Sequence, residues 1–418
     1  MIHKGKLLVF SVSFLIALYG FSALFYGKVV AKDEAYKELS VFMDVLQRVT
    51  DDYVEEPNMN NVQDGAMRGL IDALDPYCSF LSKEQYEALQ KRKASGNAGI
   101  GVALSKKSEV IYVVACERES AAAEAGIRPG DYLLAINGED IENKSILEVD
   151  SLLHGAAGTK VKLTLFRNAR TKPLEFDIAM KDHAASPVES RILDGNVGLL
   201  DVSSLSGTAI EQARIKLKTL VSAGAQQLIL DLRDCADGTP KEGAELANYF
   251  MRSGVIYFSR NREGEKAKVV EASPDKHVTD LPMVVLIDGS TASAAEIVAG
   301  ALKDQKRATV VGEKSFGIGS AQKTIELKSG ALLILSTEKF CTPGGKVIQD
   351  ETLSKAGIAP DVQAPDDDKR QDLIVDAYYD EQDDASKYKQ LQDQIEKIQL
   401  DKALEVLSKE KASAKKAA

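Results

Sequence analysis

A serine at the junction between an apolar run and a helix is the first candidate for chemistry. The stretch LIDGSTASAAEIVAGAL predicts a buried strand, a tight turn and a helix that exposes Ser293 at its start. The N–H of Ala294 would point into the same space, where the positive end of the helix dipole stabilises a developing oxyanion. Serine is also a common N-cap residue, so this stretch alone predicts either a nucleophile or a capped helix.

The elements around this serine predict an α/β architecture for residues 183–365. Short apolar runs of the kind that is buried in a partly parallel sheet alternate there with amphipathic helices. The runs are VGLLDV, QLILDLR, MVVLID and RATVVGE, and the helices include TAIEQARIKLKTLVSAG and KEGAELANYFM. Enzymes of this class place their chemistry at strand ends. Ser293 follows MVVLID, so it lies where such chemistry is expected.

A smaller module precedes this core, over residues 94–182. Its A-x-x-A-G-I-x-P-G-D-x-L-x-x-I-N-G series resembles a PDZ domain, a small β-barrel-like sheet with helices. Such a module adds a peptide to an open sheet edge and holds its terminal carboxylate in a nest of backbone N–H groups. The carboxylate-binding loop matches Gly99, Ile100, Gly101 and Val102. The resemblance therefore implies protein or peptide C-termini as partners, and the alternative is a plain glycine turn that enters a strand.

The motifs on either side of Ser293 resemble those of the carboxyl-terminal processing peptidases, PDZ-containing serine peptidases with a Ser/Lys dyad. DGSTASAAEIVAGALKD, VVGEKSFGIGSAQ, FCTPGGKVIQ and GIAPDV follow in that family's order, as do LDPYCSFLSKEQY and the PDZ series upstream. The resemblance implies an α/β peptidase core with an inserted PDZ domain and with Ser293 as the nucleophile. It also matches Glu296 to the glutamate one turn on and Gln322 to the glutamine that orients the dyad lysine. No cofactor and no metal are expected.

The dyad lysine itself is missing. In that family the lysine of F-G-K-G is the general base, and its amine is desolvated so that it can take the serine proton. This chain reads FGIG, which places Ile318 at the lysine position. Loss of a base costs on the order of 10⁴–10⁶ in kcat. The resemblance, with this substitution, predicts a nearly silent enzyme.

A second departure falls in the loop expected to supply the other oxyanion donor. The family reads D-L-R-x-N-P-G-G, whereas this chain reads DLRDCADG. Gly238 is kept as the candidate donor beside Ala294, but Asp237 stands at the first glycine, where a carboxylate would oppose a developing negative charge. Three residues remain as substitute bases, namely Lys314, Lys323 and His277. None of them lies beside the serine in any motif.

The chain begins with a membrane-targeting signal. MIHKGK precedes an uncharged apolar run over residues 7–27, and ~20 apolar residues suffice to cross ~30 Å of hydrocarbon. The lysines before the run favour a cytoplasmic N-terminus. Residues 1–28 are therefore predicted to be a signal anchor that leaves the rest of the chain extracytoplasmic, on the periplasmic side of a bacterial inner membrane. A cleaved signal peptide is the alternative.

Two helical segments flank the predicted domains. Residues 29–93 carry an apolar stripe at helical spacing, formed by Leu39, Phe42, Met43, Leu46 and Val49. The charged segment 366–418 places one apolar set on a single helix face, namely Tyr388, Leu391, Ile395 and Ile398. This second pattern predicts a docking or dimerising helix, or a solvated tail with one packed helix.

Composition narrows the functions. The 418 residues are 44% apolar and 28% charged with a net charge of -10, which indicates globular domains and argues against a nucleic-acid partner. The four cysteines are far apart and form neither a metal motif nor a disulfide framework. Three functions stay open. They are an endopeptidase with a substitute base, a pseudopeptidase that binds C-termini without cutting, and a structural partner that oligomerises with itself or with a related peptidase.

Overall fold

A computed structural model describes residues 39–107, 110–167, 172–182, 188–350, 355–365, 373 and 385–417. The chain divides into two compact units, Met1–Met67 and Arg68–Ala418. The predicted signal anchor, residues 1–28, lies outside the described residues. Within the described ranges, no helix is both long enough and apolar enough to cross a membrane.

The first unit is helical where it is described. Helix α1 spans residues 39–52, and α2 (Met59–Asp72) begins in this unit and ends in the second. The apolar spacing of residues 29–93 predicts helices here. The apolar stripe lies largely at the surface, with Leu39 52% and Met43 53% exposed.

The second unit opens with a short strand and a helix and continues into the PDZ-like module. Its elements are β1 (Ser79–Leu81), α3 (Lys83–Ser95), β2 (Ala98–Gly99), β3 (Val102–Lys107), β4 (Val110–Cys116), α4 (Ala121–Ala125), β5 (Tyr132–Ile136), β6 (Glu139–Asp140), α5 (Ile146–Leu152), β7 (His154–Gly155), β8 (Lys160–Phe166) and β9 (Leu174–Ala179). The module's main sheet has the order β3-β4-β5-β8-β9, so β3 is an edge strand among the described residues. Helix α5 packs beside it and closes a core that includes Leu104 and Val149.

The α/β core follows. Its elements are β10 (Glu189–Leu193), β11 (Val197–Asp201), α6 (Ala209–Ser222), β12 (Gln227–Asp231), α7 (Pro240–Asn248), β13 (Val255–Arg260), β14 (Lys266–Glu271), β15 (Met283–Ile287), α8 (Ala294–Asp304), β16 (Thr309–Gly312), β17 (Ser320–Glu326), β18 (Leu332–Cys341), β19 (Val362–Gln363) and α9 (Ala385–Ala417). A second sheet, β1-β18-β13-β14 with β17 on β18, lies beside the main one.

The main sheet of the core has the order β10-β11-β12-β15-β16-β19 and is parallel except for β10. The four apolar runs that predict buried strands form β11, β12, β15 and β16, which are consecutive neighbours in this sheet. The sheet shares one hydrophobic core with helices α6, α7 and α8. It shares a second hydrophobic core with α9, which contributes Ala403 and Leu407. Because parallel strands end at the same edge, the loops that follow β12 and β15 converge there.

Helix α9 docks on its own chain. Leu391 is buried, and the Arg128 guanidinium lies 3.9 Å from the centre of the Tyr388 ring. Further along, Arg233 donates to the Gln399 side chain at 3.0 Å. Helix α9 is therefore packed on its own chain, which both interpretations of the charged tail allow.

Candidate functional site

Ser293 lies at the amino terminus of α8 in a strained backbone conformation. Its φ of 56° and ψ of -122° fall outside the regions that non-glycine residues favour. Strain of this kind persists only where the surrounding structure enforces it, and a sharp, strained strand-to-helix turn is how serine hydrolases expose a nucleophile. A plain N-cap residue has an extended backbone instead, so the conformation supports the nucleophile interpretation. The Ser293 hydroxyl donates to the Gly238 carbonyl oxygen at 3.4 Å.

Glu296 joins the serine turn to the FGIG loop. Its side chain is fully buried. One carboxylate oxygen, Oε2, accepts the backbone N–H of Ser293 at 3.0 Å and that of Ile318 at 2.7 Å, while Oε1 accepts the Ser315 hydroxyl at 2.6 Å. Burial raises the pKa of Glu296 to about 8, and these hydrogen bonds oppose the increase. Because one oxygen binds both backbone nitrogens, Ile318 is adjacent to Ser293.

The side chains expected to make up the rest of the proton-transfer machinery are apolar or engaged elsewhere. Ile318 is half-buried and has no atom that accepts a proton. Gln322, on β17, is exposed, and its amide donates to the Ser320 hydroxyl at 2.8 Å and to Ser336 at 3.4 Å. Ser320 in turn donates to Gln349 at 2.9 Å. Gln322 therefore belongs to a polar network beside the site.

Two backbone N–H groups are placed to serve as oxyanion donors. The N–H groups of Ala294 and Gly238 have no acceptor within the described part of the chain. Gly238 has φ 88°, and a Cβ there would lie 2.6 Å from the Leu205 Cβ, so this close approach requires glycine. The pair satisfies the chemistry expected of an oxyanion hole, namely unpaired donors beside the nucleophile.

The expectation that Asp237 opposes negative charge at the serine does not match its contacts. Its Oδ2 accepts the Ser204 hydroxyl at 2.7 Å, and its Oδ1 accepts the Leu205 N–H at 2.8 Å. Both partners belong to the loop after β11. Asp237 therefore links its own loop, after β12, to the loop after β11, and these two hydrogen-bond donors stabilise its carboxylate.

None of the three expected substitute bases contacts the serine in the described structure. Lys314 and Lys323 are exposed. His277 precedes β15 and lies 2.9 Å from Asp280, whereas Ser293 follows the carboxyl end of that strand. Five strand residues span roughly 16 Å, so His277 is at the opposite edge of the sheet.

Sequence reasoning missed a fourth candidate base, Lys346. Lys346 is exposed, but partial removal of its amine from water lowers its pKa, and the nearby charges of Lys314 and Lys303 lower it further. The turn that ends at Lys346 packs over the middle of α8, since a Cβ on Gly300 would lie 2.6 Å from Thr342 Cγ2. No motif marks Lys346 as a base, and only the packing of this turn on α8 brings it into consideration.

Sequence reasoning also missed the contacts between the PDZ-like module and the site. Tyr112 of β4 packs on Phe316 of the FGIG loop, with ring centroids 6.1 Å apart. The Tyr77 hydroxyl lies 3.2 Å from Ser105 of β3, and burial raises the pKa of Tyr77. These contacts depend on how the module docks, which no local pattern encodes.

The predicted carboxylate-binding loop is held by its carbonyl groups. Gly99 exchanges two backbone hydrogen bonds of 2.9 Å with Lys181, and the carbonyls of Ile100 and Gly101 accept N–H groups at 2.9 Å. The N–H groups of Ile100 and Gly101 have no acceptor among the described residues. Gly101 has φ 77°, and a Cβ there would lie 2.4 Å from Ser120. Val102 then begins the edge strand β3, so the loop offers free N–H groups at the end of an open strand.

Comparisons with known proteins agree with this geometry. The model of peptidase family S41 matches residues 196–364, and a PDZ domain model matches residues 112–167. A carboxy-terminal-processing protease of Bartonella bacilliformis is 30% identical over 335 residues, which cover 79% of this chain and 76% of the relative. A carboxyl-terminal-processing protease of Synechocystis is 33% identical and covers 74% of this chain and 73% of its own length.

A solved structure extends the likeness to the fold. The photosystem II D1 C-terminal processing protease superposes with a TM-score of 0.65 at 24% identity, covering 77% of this chain and 86% of that one. The fold and the site thus define the serine-peptidase fold of family S41 with a PDZ domain. The chain belongs to the carboxy-terminal processing protease family. The predicted α/β peptidase core with a PDZ domain is confirmed.

Proposed function

We propose that this protein recognises the C-termini of proteins or peptides through its PDZ domain and that Ser293 hydrolyses peptide bonds at no more than a trace rate. The observation that carries the proposal is the position of Ile318, whose backbone N–H shares a Glu296 oxygen with that of Ser293. An isoleucine at this place leaves the serine hydroxyl with a backbone carbonyl as its partner. On this proposal the chain keeps the nucleophile Ser293 and the oxyanion donors Ala294 and Gly238, but it has no general base at position 318.

Cleavage of an unfolded protein tests the catalytic half of this proposal. The full chain and its Ser293→Ala variant are incubated with casein, and fragments are quantified over hours. We expect equal, near-background rates, because loss of a base costs on the order of 10⁴–10⁶ in kcat. Robust cleavage that disappears in Ser293→Ala would contradict it.

A working endopeptidase with a substitute base is the second candidate. The strained Ser293 backbone and the unpaired N–H groups of Ala294 and Gly238 favour it, because they are the parts that acyl transfer needs. The relatives are also named proteases. If the casein assay shows activity, Lys346→Met is the first variant to make. Lys323→Met, on the exposed strand β17, is its matched control. Lys346 would be assigned as the base only if casein cleavage is lost in Lys346→Met and kept in Lys323→Met.

Binding of a peptide and its C-terminally amidated twin tests the recognition half. The free N–H groups of Ile100 and Gly101 beside edge strand β3 support capture of a carboxylate with an apolar last residue. Calorimetry on Ser293→Ala, which prevents any turnover, should show tighter binding of the free acid. Equal affinities for the free acid and the amidated peptide would contradict the proposal that the PDZ domain recognises C-terminal carboxylates.

We also propose that residues 1–28 anchor the protein in the membrane and that the remainder is extracytoplasmic. The uncharged run over residues 7–27 and the lysines before it motivate this placement. Fractionation of cells that express the full chain should recover it with the membranes. A soluble extracytoplasmic form that starts near Lys32 would show that the run is a cleaved signal instead.

A further inference from the structure

A cavity of about 470 Å³ lies where the PDZ domain, the α/β core and α9 meet. Strand β4 and the turn at Pro129 form one wall, the loop after β15 forms another, and α9 closes the third between Tyr388 and Gln399. The volume falls within the roughly 300–1,000 Å³ that is typical of small-ligand sites. No role in peptide hydrolysis or C-terminus binding requires this space.

Gln399 brings an unpaired donor to the cavity. The residue is 1% exposed and lines the cavity wall. Its Oε1 accepts Arg233 Nη1 at 3.0 Å, which fixes the orientation of the amide. Its Nε2 has no hydrogen-bond partner in the described part of the chain. Since buried donors are nearly always paired, this enclosed amide would gain a partner if the acceptor atom of a ligand reached it from the cavity.

Asp288 also lines the cavity, and its carboxylate provides a hydrogen-bond acceptor. Its Oδ1 accepts the Thr291 hydroxyl at 2.9 Å and the backbone N–H groups of Ser290 and Asp234 at 3.1 Å and 3.2 Å. No described residue donates to its Oδ2. Burial raises the pKa of Asp288 to about 8, with a further contribution from the charge of Asp234. The second oxygen is therefore available to a donor, and a positive charge there would stabilise the carboxylate.

The arginines that line the cavity already have carboxylate partners. Arg118 lies 2.6 Å from Asp201 and 3.5 Å from Asp234, and Arg233 pairs with Asp231. With these cations matched, the Asp288 carboxyl adds an acidic group, which suits a cationic ligand. Tyr112 and Phe316 add aromatic wall, which also favours an ammonium, whereas the Tyr388 ring already has the Arg128 guanidinium against it.

We propose that this cavity binds the amino terminus of a peptide. The ammonium would lie at Asp288, the first carbonyl oxygen would accept from Gln399, and the first side chain would pack among the apolar residues of the wall. These include Ile127, Leu391 and Ile395. An amino-terminal residue combines a cation, a neighbouring acceptor and a side chain, which is the set of groups that the wall complements. This site is separate from the carboxylate-binding loop of the PDZ domain.

Four small probes on the full chain, titrated by calorimetry, test the chemistry. They are leucyl-alanine amide, its N-acetyl derivative, isoamylamine, which lacks the carbonyl, and N-acetyl-lysine amide, which carries a basic side chain. None has a free carboxylate for the PDZ loop. Leucyl-alanine amide should bind best, and acetylation should weaken it at least about tenfold through loss of a charge-assisted hydrogen bond. Equal binding of the acetylated probe, tighter binding of the lysine probe, or no binding at all would overturn the proposal.

Two variants test the two polar groups separately. Asp288→Asn keeps an acceptor for the three donors on Oδ1 and replaces Oδ2 by an amide donor, so leucyl-alanine amide should bind at least about tenfold more weakly. Gln399→Met keeps the length of the side chain and should abolish the preference for leucyl-alanine amide over isoamylamine. Asp280→Asn, before β15 and outside the cavity, is the matched control and should bind as the wild type does.

Unchanged binding in Asp288→Asn would refute the assignment. Circular dichroism and a thermal melt establish that each variant is folded. If Asp288→Asn does not fold, the comparison of the acetylated and free probes on the wild type decides the question by itself.

Discussion

Replacement of Ile318 by lysine should restore part of a catalytic dyad. The backbone of residue 318 is fixed by its 2.7 Å hydrogen bond to Glu296, next to the Ser293 N–H on the same oxygen. That contact involves no side-chain atom of residue 318, so the substitution keeps it. A lysine side chain at 318 would start next to the Ser293 turn, at the position that the sequence resemblance matches to the dyad lysine. Gln322 is four residues along on β17, and its oxygen is the group that would orient an amine.

The size of the gain depends on how much of the new amine is neutral. A lysine with an ordinary pKa of about 10.4 is neutral in about one molecule in 250 at pH 8. Burial lowers the pKa of a lysine, by up to about 3–5 units when it is complete, but residue 318 is only half-buried and an ionised Glu296 would favour the charged amine. A positioned base is worth about 10²–10⁴. We therefore expect the lower end, about 10², which corresponds to about 2.7 kcal/mol.

The assay is casein cleavage by the wild type, Ile318→Lys and Ile318→Met, each with Ser293→Ala in parallel, from about pH 7 to about pH 9.5. Ile318→Met has a similar length without an amine, so it controls for packing. The lysine variant should gain activity that depends on Ser293 and rises with pH, because deprotonation of the amine creates the base. No gain at the highest pH, or an equal gain in Ile318→Met, would refute the reasoning.

Three further outcomes follow from the described contacts. Because burial raises the pKa of Glu296 to about 8, the folded state holds a proton that the unfolded chain releases above about pH 4.3. The free energy of unfolding should therefore fall as the pH rises through this window, and urea titrations should show the dependence weakened in Glu296→Gln. Asp237→Gly should not assist Ile318→Lys, and urea unfolding should show a loss of about 1–3 kcal/mol of stability, with the exposed Asp280→Gly as a comparison. Tyr388→Ala should speed hydrogen exchange over the first turns of α9 and spare the turns around Ala403, whereas Lys389→Ala on the exposed face should change neither.

The strands of the core could be predicted because each is a continuous apolar run. Both faces of a parallel sheet are covered, so β11, β12, β15 and β16 need no alternation of polar and apolar residues. The helical spacing of the tail likewise predicts the face of α9 that carries Tyr388 and Leu391. What spacing does not predict is the partner of that face. Arg128 and Arg233 are distant in sequence, and only the folded core brings them to the helix.

The position of the serine could also be predicted, since a strand, a turn and a helix are local features. Its positive φ could not, because the strain is imposed by neighbours and not by the sequence of the turn. The role of Asp237 shows the same limit. Its position in DLRDCADG suggests a charge beside the oxyanion, yet its partners Ser204 and Leu205 come from another strand's loop. A side chain's direction depends on donors that only the tertiary structure supplies.

An isoleucine at position 318 is compatible with an intact frame of the site. The frame of the site is held by Glu296 through the backbone N–H groups of Ser293 and Ile318, so any residue at 318 except proline keeps this hydrogen bond. A half-buried isoleucine also avoids the cost of removing an amine from water. Under the function proposed above, isoleucine in place of a lysine would remove a base without removing a structural contact. The strained serine and the two unpaired N–H groups are compatible with that proposal, and Ile318→Lys tests whether the site can still support catalysis.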